Sequence, residues 1–251
     1  MPTIPPEVCD YVIDYLHNDK NTLKACSLTC RDWVPTSRYH LHCEVYLHKP
    51  ELFTAFKRLL QASPLLGPYI RVLRIGKLEK ASRAELAQIR EALPTILEYI
   101  PRLEYLGGSL LSTAASVLDT IPCRTPVTTL CLQYCEFPAL EDFARLLYSC
   151  PKLQTLELCG VSWISESCES LPPTFGAPAL QRLVLGRDVD HSSIIDLLLR
   201  GGHHRHLHSL MAALSSEADA YALSVLMENI DETLAELDLE WHPIRHGLNG
   251  E

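Results

Sequence analysis

The chain has 251 residues, 47% of them hydrophobic and 21% charged, with a formal net charge of −9. That is enough chain to bury a core as one domain or two, and the composition carries no signature of disorder. The acidic balance, with no run of Lys and Arg, excludes a protein built to contact nucleic-acid phosphates and favours protein or basic-peptide partners.

The N-terminus is the first informative stretch. Pro5 and Pro6 suit the start of a helix, where a missing N–H costs nothing, and Glu7 sits near the positive end of its dipole. Val8, Val12 and Leu16 recur at helical spacing with Tyr11 and Tyr15 beside them, forming one apolar stripe. His17 to Asn21 is polar and interrupts it. Asn21 or Thr22 can cap a second helix that runs to Trp33, with Leu23, Cys26 and Cys30 on one face and Leu28 on another. After Pro35, Thr36 to Leu41 can form a further short helix. Some 40 residues of this kind bury too little surface to fold without a partner or a neighbouring domain. Pro2, Pro5 and Pro6 with Glu7 and Asp10 do not fit a signal peptide, and no stretch reaches the ~18 consecutive apolar residues of a membrane span. The expected setting is intracellular, in cytoplasm or nucleus, with no membrane partner.

These residues resemble an F-box, the motif by which substrate receptors attach to the Skp adaptor of cullin-based ubiquitin ligases. The Leu-Pro-x-Glu opening with its apolar pair is met by Ile4-Pro5-Pro6-Glu7-Val8-Cys9, and the residues after it by Val12, Tyr15 and Leu16. The second half, a leucine-rich helix running into Val-Cys-Arg-x-Trp, is met by Leu23, Cys26, Leu28, Cys30, Arg31 and Trp33. Lys24, Cys26 and Thr29 depart from the pattern. The resemblance implies that Ile4, Pro5, Glu7, Val8, Val12, Leu16, Leu23, Cys26, Leu28 and Trp33 bind the adaptor, and through it a cullin.

From about residue 43 the chain is periodic. A Leu-x-x-Leu-x-Leu template appears at residues 70–75, 103–108, 127–132, 153–158, 180–185, 207–212 and 234–239. Its central leucines are Leu73, Leu106, Leu130, Leu156, Leu183, Leu210 and Leu237. Their separations are 33, 24, 26, 27, 27 and 27 residues, close to the upper end of the leucine-rich-repeat period of roughly 20 to 29. Pro68, Pro101, Pro151 and Pro178 stand two residues before the first apolar position, and Pro126 one before, where no ladder hydrogen bond is needed. Cys43 to Leu47 can be an earlier copy.

Helical spacing fills most of the intervals, over Glu51 to Gln61, Ala81 to Leu93, Ala139 to Tyr148, Ser192 to Arg200 and Ala218 to Ile230, with Gly201-Gly202 as a C-cap. Val161 to Phe175 lacks that spacing and reads as an irregular rim loop. The expected fold is therefore α/β: an F-box-like helical domain over 1–42, then a leucine-rich-repeat solenoid over 43–251. The solenoid would have seven to eight repeats, parallel strands on the concave face and helices on the convex face. After Leu239 no helix pattern remains, so a full C-terminal cap is not expected. Either the tail folds over the last strand or the cap is missing.

In such a stack the residues between the leucines face a ligand. Those chosen as a substrate-binding face are Arg71, Arg74, Glu104, Thr129, Gln154, Glu157, Arg182, His208, Glu236 and Asp238. Basic residues gather in the early copies and acidic ones in the last, which suits a partner of complementary polarity. The resemblance implies a non-catalytic receptor for a protein substrate; the alternative is a repeat scaffold with a degenerate F-box and no ligase role.

No hydrolase, nucleotide-binding or zinc-protease motif occurs. In His203-His204-Arg205-His206-Leu207-His208, His206 and His208 share a strand face and could ligate a metal, but no carboxylate or cysteine pair accompanies them, and a polar turn is the simpler reading. The acidic run Asp231, Glu232, Glu236, Asp238 and Glu240 reads as a solvated face. The ten cysteines are read as free thiols, with Cys43, Cys131, Cys150 and Cys159 at apolar positions. No cofactor or metal is expected.

Overall fold

The computed structural model describes residues 5–76, 78, 81–111, 126–165, 178–230 and 233–242. Three helices open the chain: α1 (Pro6–Tyr15), α2 (Lys20–Thr29) and α3 (Val34–His42). The cap of α2 is neither Asn21 nor Thr22 but Asp19, whose carboxylate accepts from both of their backbone N–H groups at 3.0 Å. Placed before the first helical residue, the Asp19 carboxylate satisfies two orphan donors at once, while Asn21 and Thr22 already lie inside the first turn. The second helix also stops short of Trp33. Cys30 is extended (φ −154°, ψ 168°), a 3-10 turn spans Arg31–Trp33, and Pro35 lies in the first turn of α3.

Nine strands are described, all paired in parallel: β1 (Glu44–Leu47), β2 (Val72–Gly76), β3 (Tyr105–Leu111), β4 (Thr129–Ala139), β5 (Thr155–Cys159), β6 (Ser162–Ser165), β7 (Arg182–Leu185), β8 (Ser209–Leu214) and β9 (Glu236–Trp241). The fold is mixed α/β. Eight of these strands lie side by side in chain order, β1-β2-β3-β4-β5-β7-β8-β9, and β6 pairs with the far end of β4. The reading of Val161 onward as irregular therefore needs correction. Ser162, Trp163 and Ser165 pair with Glu136, Phe137 and Ala139, because β4 runs past its template and offers a free edge. Residues 166–177 of that stretch lie outside the described residues.

The register explains the periodicity. Val45, Leu73, Leu106, Leu130, Leu156, Leu183, Leu210 and Leu237 form one unbroken row across the sheet. From Leu73 to Leu210 each is fully buried, which stabilises the fold by about 1.5–3 kcal/mol per side chain. Ahead of each strand one carbonyl accepts two successive N–H groups: Cys43 O from Arg71 and Val72, Arg71 O from Glu104 and Tyr105, and so on through His208 O from Ala235 and Glu236, all at 2.8–3.0 Å. A shift of one residue would break that junction and turn the leucines to the other face.

Helices cover the leucine face. They are α4 (Pro50–Ala62), α5 (Arg83–Tyr99), α6 (Leu140–Ser149), α7 (His191–Gly201) and α8 (Glu217–Asn229). α5 starts with a reciprocal cap: Glu85 N–H donates to Ser82 Oγ and Ser82 N–H to Glu85. It continues six residues beyond Leu93, through Pro94, because Ile96 and Leu97 are buried in the core. That burial outweighs the missing backbone bond. α7 ends at Gly202, whose φ of +69° only glycine adopts without strain. The opposite face of the sheet carries no helix among the described residues. None of the described helices is long and apolar enough to cross a membrane.

Candidate functional site

Two surfaces gather the candidate residues. On α1, Asp10 and Asp14 lie one turn apart and face α3: Thr36 Oγ1 donates to Asp10 at 2.5 Å, and His40 Nε2 lies 2.7 Å from Asp14 Oδ1. Ile13, between them on the same side, is fully buried. At 100° per residue this turns Val8, Tyr11, Val12 and Tyr15 to the opposite side, and all four are exposed. Tyr15 is 84% exposed and Leu28 on α2 86%. A contiguous apolar stripe such as that of Val8, Tyr11, Val12 and Tyr15 on α1 marks an interaction surface more often than a solvated face.

The residues expected at an adaptor divide accordingly. Pro5, Glu7, Val8, Val12 and Leu28 are on the surface, and Leu16 and Trp33 are partly buried. Leu23 and Cys26 are buried, so they support α2 from within and do not face a partner. Cys30, expected on the same face as these two, is exposed because the chain leaves the helix there. Ile4 lies outside the described residues. Tyr11 and Tyr15 are the most prominent groups on α1, and the spacing of Asp10, Ile13 and Asp14 was the signal that would have assigned them outward.

The second surface is the open face of the sheet. One row across it reads Tyr46, Arg74, Gly107, Cys131, Glu157, Val184, Met211, Asp238, and the row before it contains Tyr105, Thr129, Thr155, Arg182, Ser209 and Glu236. Arg74, Glu157 and Asp238 thus share one row and Thr129, Arg182 and Glu236 another. Arg71, Glu104, Gln154 and His208 stack at the strand entries, where their carbonyls carry the paired acceptor contacts. The strand rows place Thr129, Arg74, Glu157, Arg182, Glu236 and Asp238 on the open face, while Arg71, Glu104, Gln154 and His208 are one residue ahead of those rows.

Their charges are less polarised than the sequence suggests. Arg71 Nη1 is 2.6 Å from Glu104 and Arg74 Nε 2.7 Å from Glu44, so the basic end is offset by its own carboxylates. Arg74 also lies 4.5 Å over the Tyr105 ring. Gly107 makes this possible, since a Cβ there would stand 2.8 Å from that ring. Burial, with a hydrogen bond to Cys131, pushes the Tyr105 phenol up to about 12; burial likewise raises the Cys131 thiol. Both stay protonated at neutral pH. At the other end Ser209 Oγ donates to Glu236 at 2.6 Å, with Arg182 3.9 Å away, while no Lys or Arg among the described residues pairs with Asp238 or Glu240.

The histidine cluster disperses. His203 is buried with Nδ1 donating to Pro178 O at 2.9 Å, His208 donates to Thr233 O at 2.9 Å, and His206 ends a 3-10 turn (His203–His206) that leads into β8. Among the described residues no group of three or more His, Cys, Asp or Glu side chains is placed to hold a metal. No disulfide joins the described cysteines to one another. Of the acidic run, Asp231 and Glu232 lie outside the described residues, as does the expected tail beyond His242. Leu237 and Leu239 are 46% and 47% exposed, unlike the fully buried row leucines Leu73 to Leu210.

Comparison of the chain with models of protein families finds none that matches, and comparison with curated proteins finds no match either.

Proposed function

We propose that the chain is a non-catalytic receptor with two docking surfaces: an F-box-like one formed by α1 and α2 for a Skp adaptor, hence a cullin, and the open face of a leucine-rich-repeat solenoid for a protein substrate. The observation that carries this reading is the outward apolar stripe of Val8, Tyr11, Val12 and Tyr15 on α1, whose inner side is already satisfied by Ile13 and two polar links, with Leu28 exposed on α2. A helix packed only for stability would turn that stripe inward. The in-register leucine rows support the repeat reading, and the polar residues between them give the open face its side chains. Holding a substrate on such a face would raise the effective concentration of its lysines near a conjugating enzyme.

The test is affinity capture of the tagged full chain from cells. The wild type brings down both adaptor and cullin, and Val12→Glu, at an exposed position, brings down neither. Absence of the adaptor from the wild-type capture, or its retention by the variant, refutes the receptor reading.

A further inference from the structure

The open face carries three adjoining hollows. One of about 240 Å³ lies among Tyr46, Arg74, Tyr105 and Gln133. A second, about 110 Å³, shares Cys131 and Gln133 with the first and reaches Val184 and Gly186. A third, about 140 Å³, starts at those two residues and ends at Asp238 and Glu240. Shared walls make them one groove across the C-terminal ends of the strands. Its floor is low because the positions beneath are Gly107, Gly108, Gly186 and Ala212. From β1 to β9 there are seven inter-strand steps, roughly 34 Å at about 4.8 Å each, which an extended chain spans with about ten residues.

The two ends differ in charge. Around the first hollow Arg74 is neutralised by Glu44, and Tyr105, pushed up to about 12 by burial, is uncharged at neutral pH. At the far end Asp238 and Glu240 have no Lys or Arg partner among the described residues, and Glu157 adds a carboxylate midway. A cation there meets Asp238, which has no ion pair among the described residues, beside Glu240, whose carboxylate His242 Nε2 contacts at 2.8 Å.

We propose that this groove holds an extended segment of a partner protein about ten residues long, with basic side chains over β8–β9 against Asp238 and Glu240 and an uncharged side chain between Tyr46 and Tyr105. It rests on reading this face as the substrate surface and specifies the substrate class. A globular domain or an acidic segment is the competing occupant, and each gives a different result below.

The experiment is selection from a displayed library of random peptides about twelve residues long on the immobilised full chain, with folding checked by circular dichroism. Enrichment of Lys and Arg toward one end of the selected peptides is expected. It is lost in D238N/E240Q, with affinity of the selected peptides about ten-fold lower, and changes to Asp and Glu in D238K/E240K. No positional enrichment, acidic enrichment on the wild type, or basic enrichment that survives both double variants overturns the proposal. Adaptor capture is read separately on the same proteins. Basic selection without adaptor capture sinks the ligase reading and leaves the groove; capture without basic selection does the reverse.

Discussion

His40 Nε2 and Asp14 Oδ1 stand 2.7 Å apart, joining α3 to α1 across a sequence separation of 26 residues. With the Thr36–Asp10 bond one turn away, this contact fixes which side of α1 faces inward. The apolar stripe is outward because the polar stripe is used.

Removing both links tests that relationship. Asp10→Ala with Asp14→Ala is expected to cost about 1–3 kcal/mol, the sum of two ordinary hydrogen-bond contributions. Amide hydrogen exchange should speed up in α1 while the strands keep their protection. Unchanged exchange in α1 would show that Ile13 alone holds the helix.

The leucine row gives a graded prediction. Leu156 is fully buried in the middle of the sheet, whereas Leu237 is 46% exposed on β9. Leu156→Ala should cost about 2–5 kcal/mol through lost burial and a residual cavity, and Leu237→Ala less than half of that. Urea denaturation of the two variants beside wild type measures both. Equal losses would mean that the last strand is covered as fully as the central ones.

Two groups set the pH dependence in different windows. Burial lowers the His203 pKa below its ordinary value, so below about 6.5 the unfolded chain binds a proton that the folded one resists. Stability from this group is full above that pH and declines as pH falls. His203→Asn keeps a donor for Pro178 O and should flatten the fall in melting temperature between pH 7 and 5. Asp219 works lower. Burial tends to raise its pKa, but hydrogen bonds from Ser215 and Ser216, with His191 nearby, outweigh it and hold the carboxyl below 3.8. Its contribution is present above about 3.8 and lost as pH drops through the depressed value. Asp219→Asn should therefore lower stability at pH 7 and shrink its further loss below pH 4. A wild-type acid limb retained by both variants would assign it elsewhere.

The strand rows were legible because each template copy repeats one demand: two leucines on the helix side, separated by a residue on the other. Leu73 through Leu237 consequently align in the structure as their spacing predicts. The paired strand β6 was not legible, because Ser162 to Ser165 has no apolar alternation and its pairing depends on β4 overrunning its template. The cap of α2 was missed for a related reason: Asp19 belongs to a polar stretch that reads as a break, although a short acidic side chain there is what a helix start uses. On the open face the spacing placed Arg74, Glu157 and Asp238 in one row but did not reveal their charge balance. Glu44, 30 residues from Arg74 and outside the expected set, neutralises it through a strand pairing that no local pattern announces.

The outward stripe of α1, with Leu28 on α2, is the surface on which the proposed docking rests. The most direct measurement is size-exclusion chromatography with light scattering of the purified full chain mixed with a purified Skp adaptor. The account predicts a one-to-one complex for the wild type and separate elution for V12E/L28E, with both proteins showing the same circular dichroism spectrum. Separate elution of the wild type, or a complex that withstands both glutamates, would contradict it.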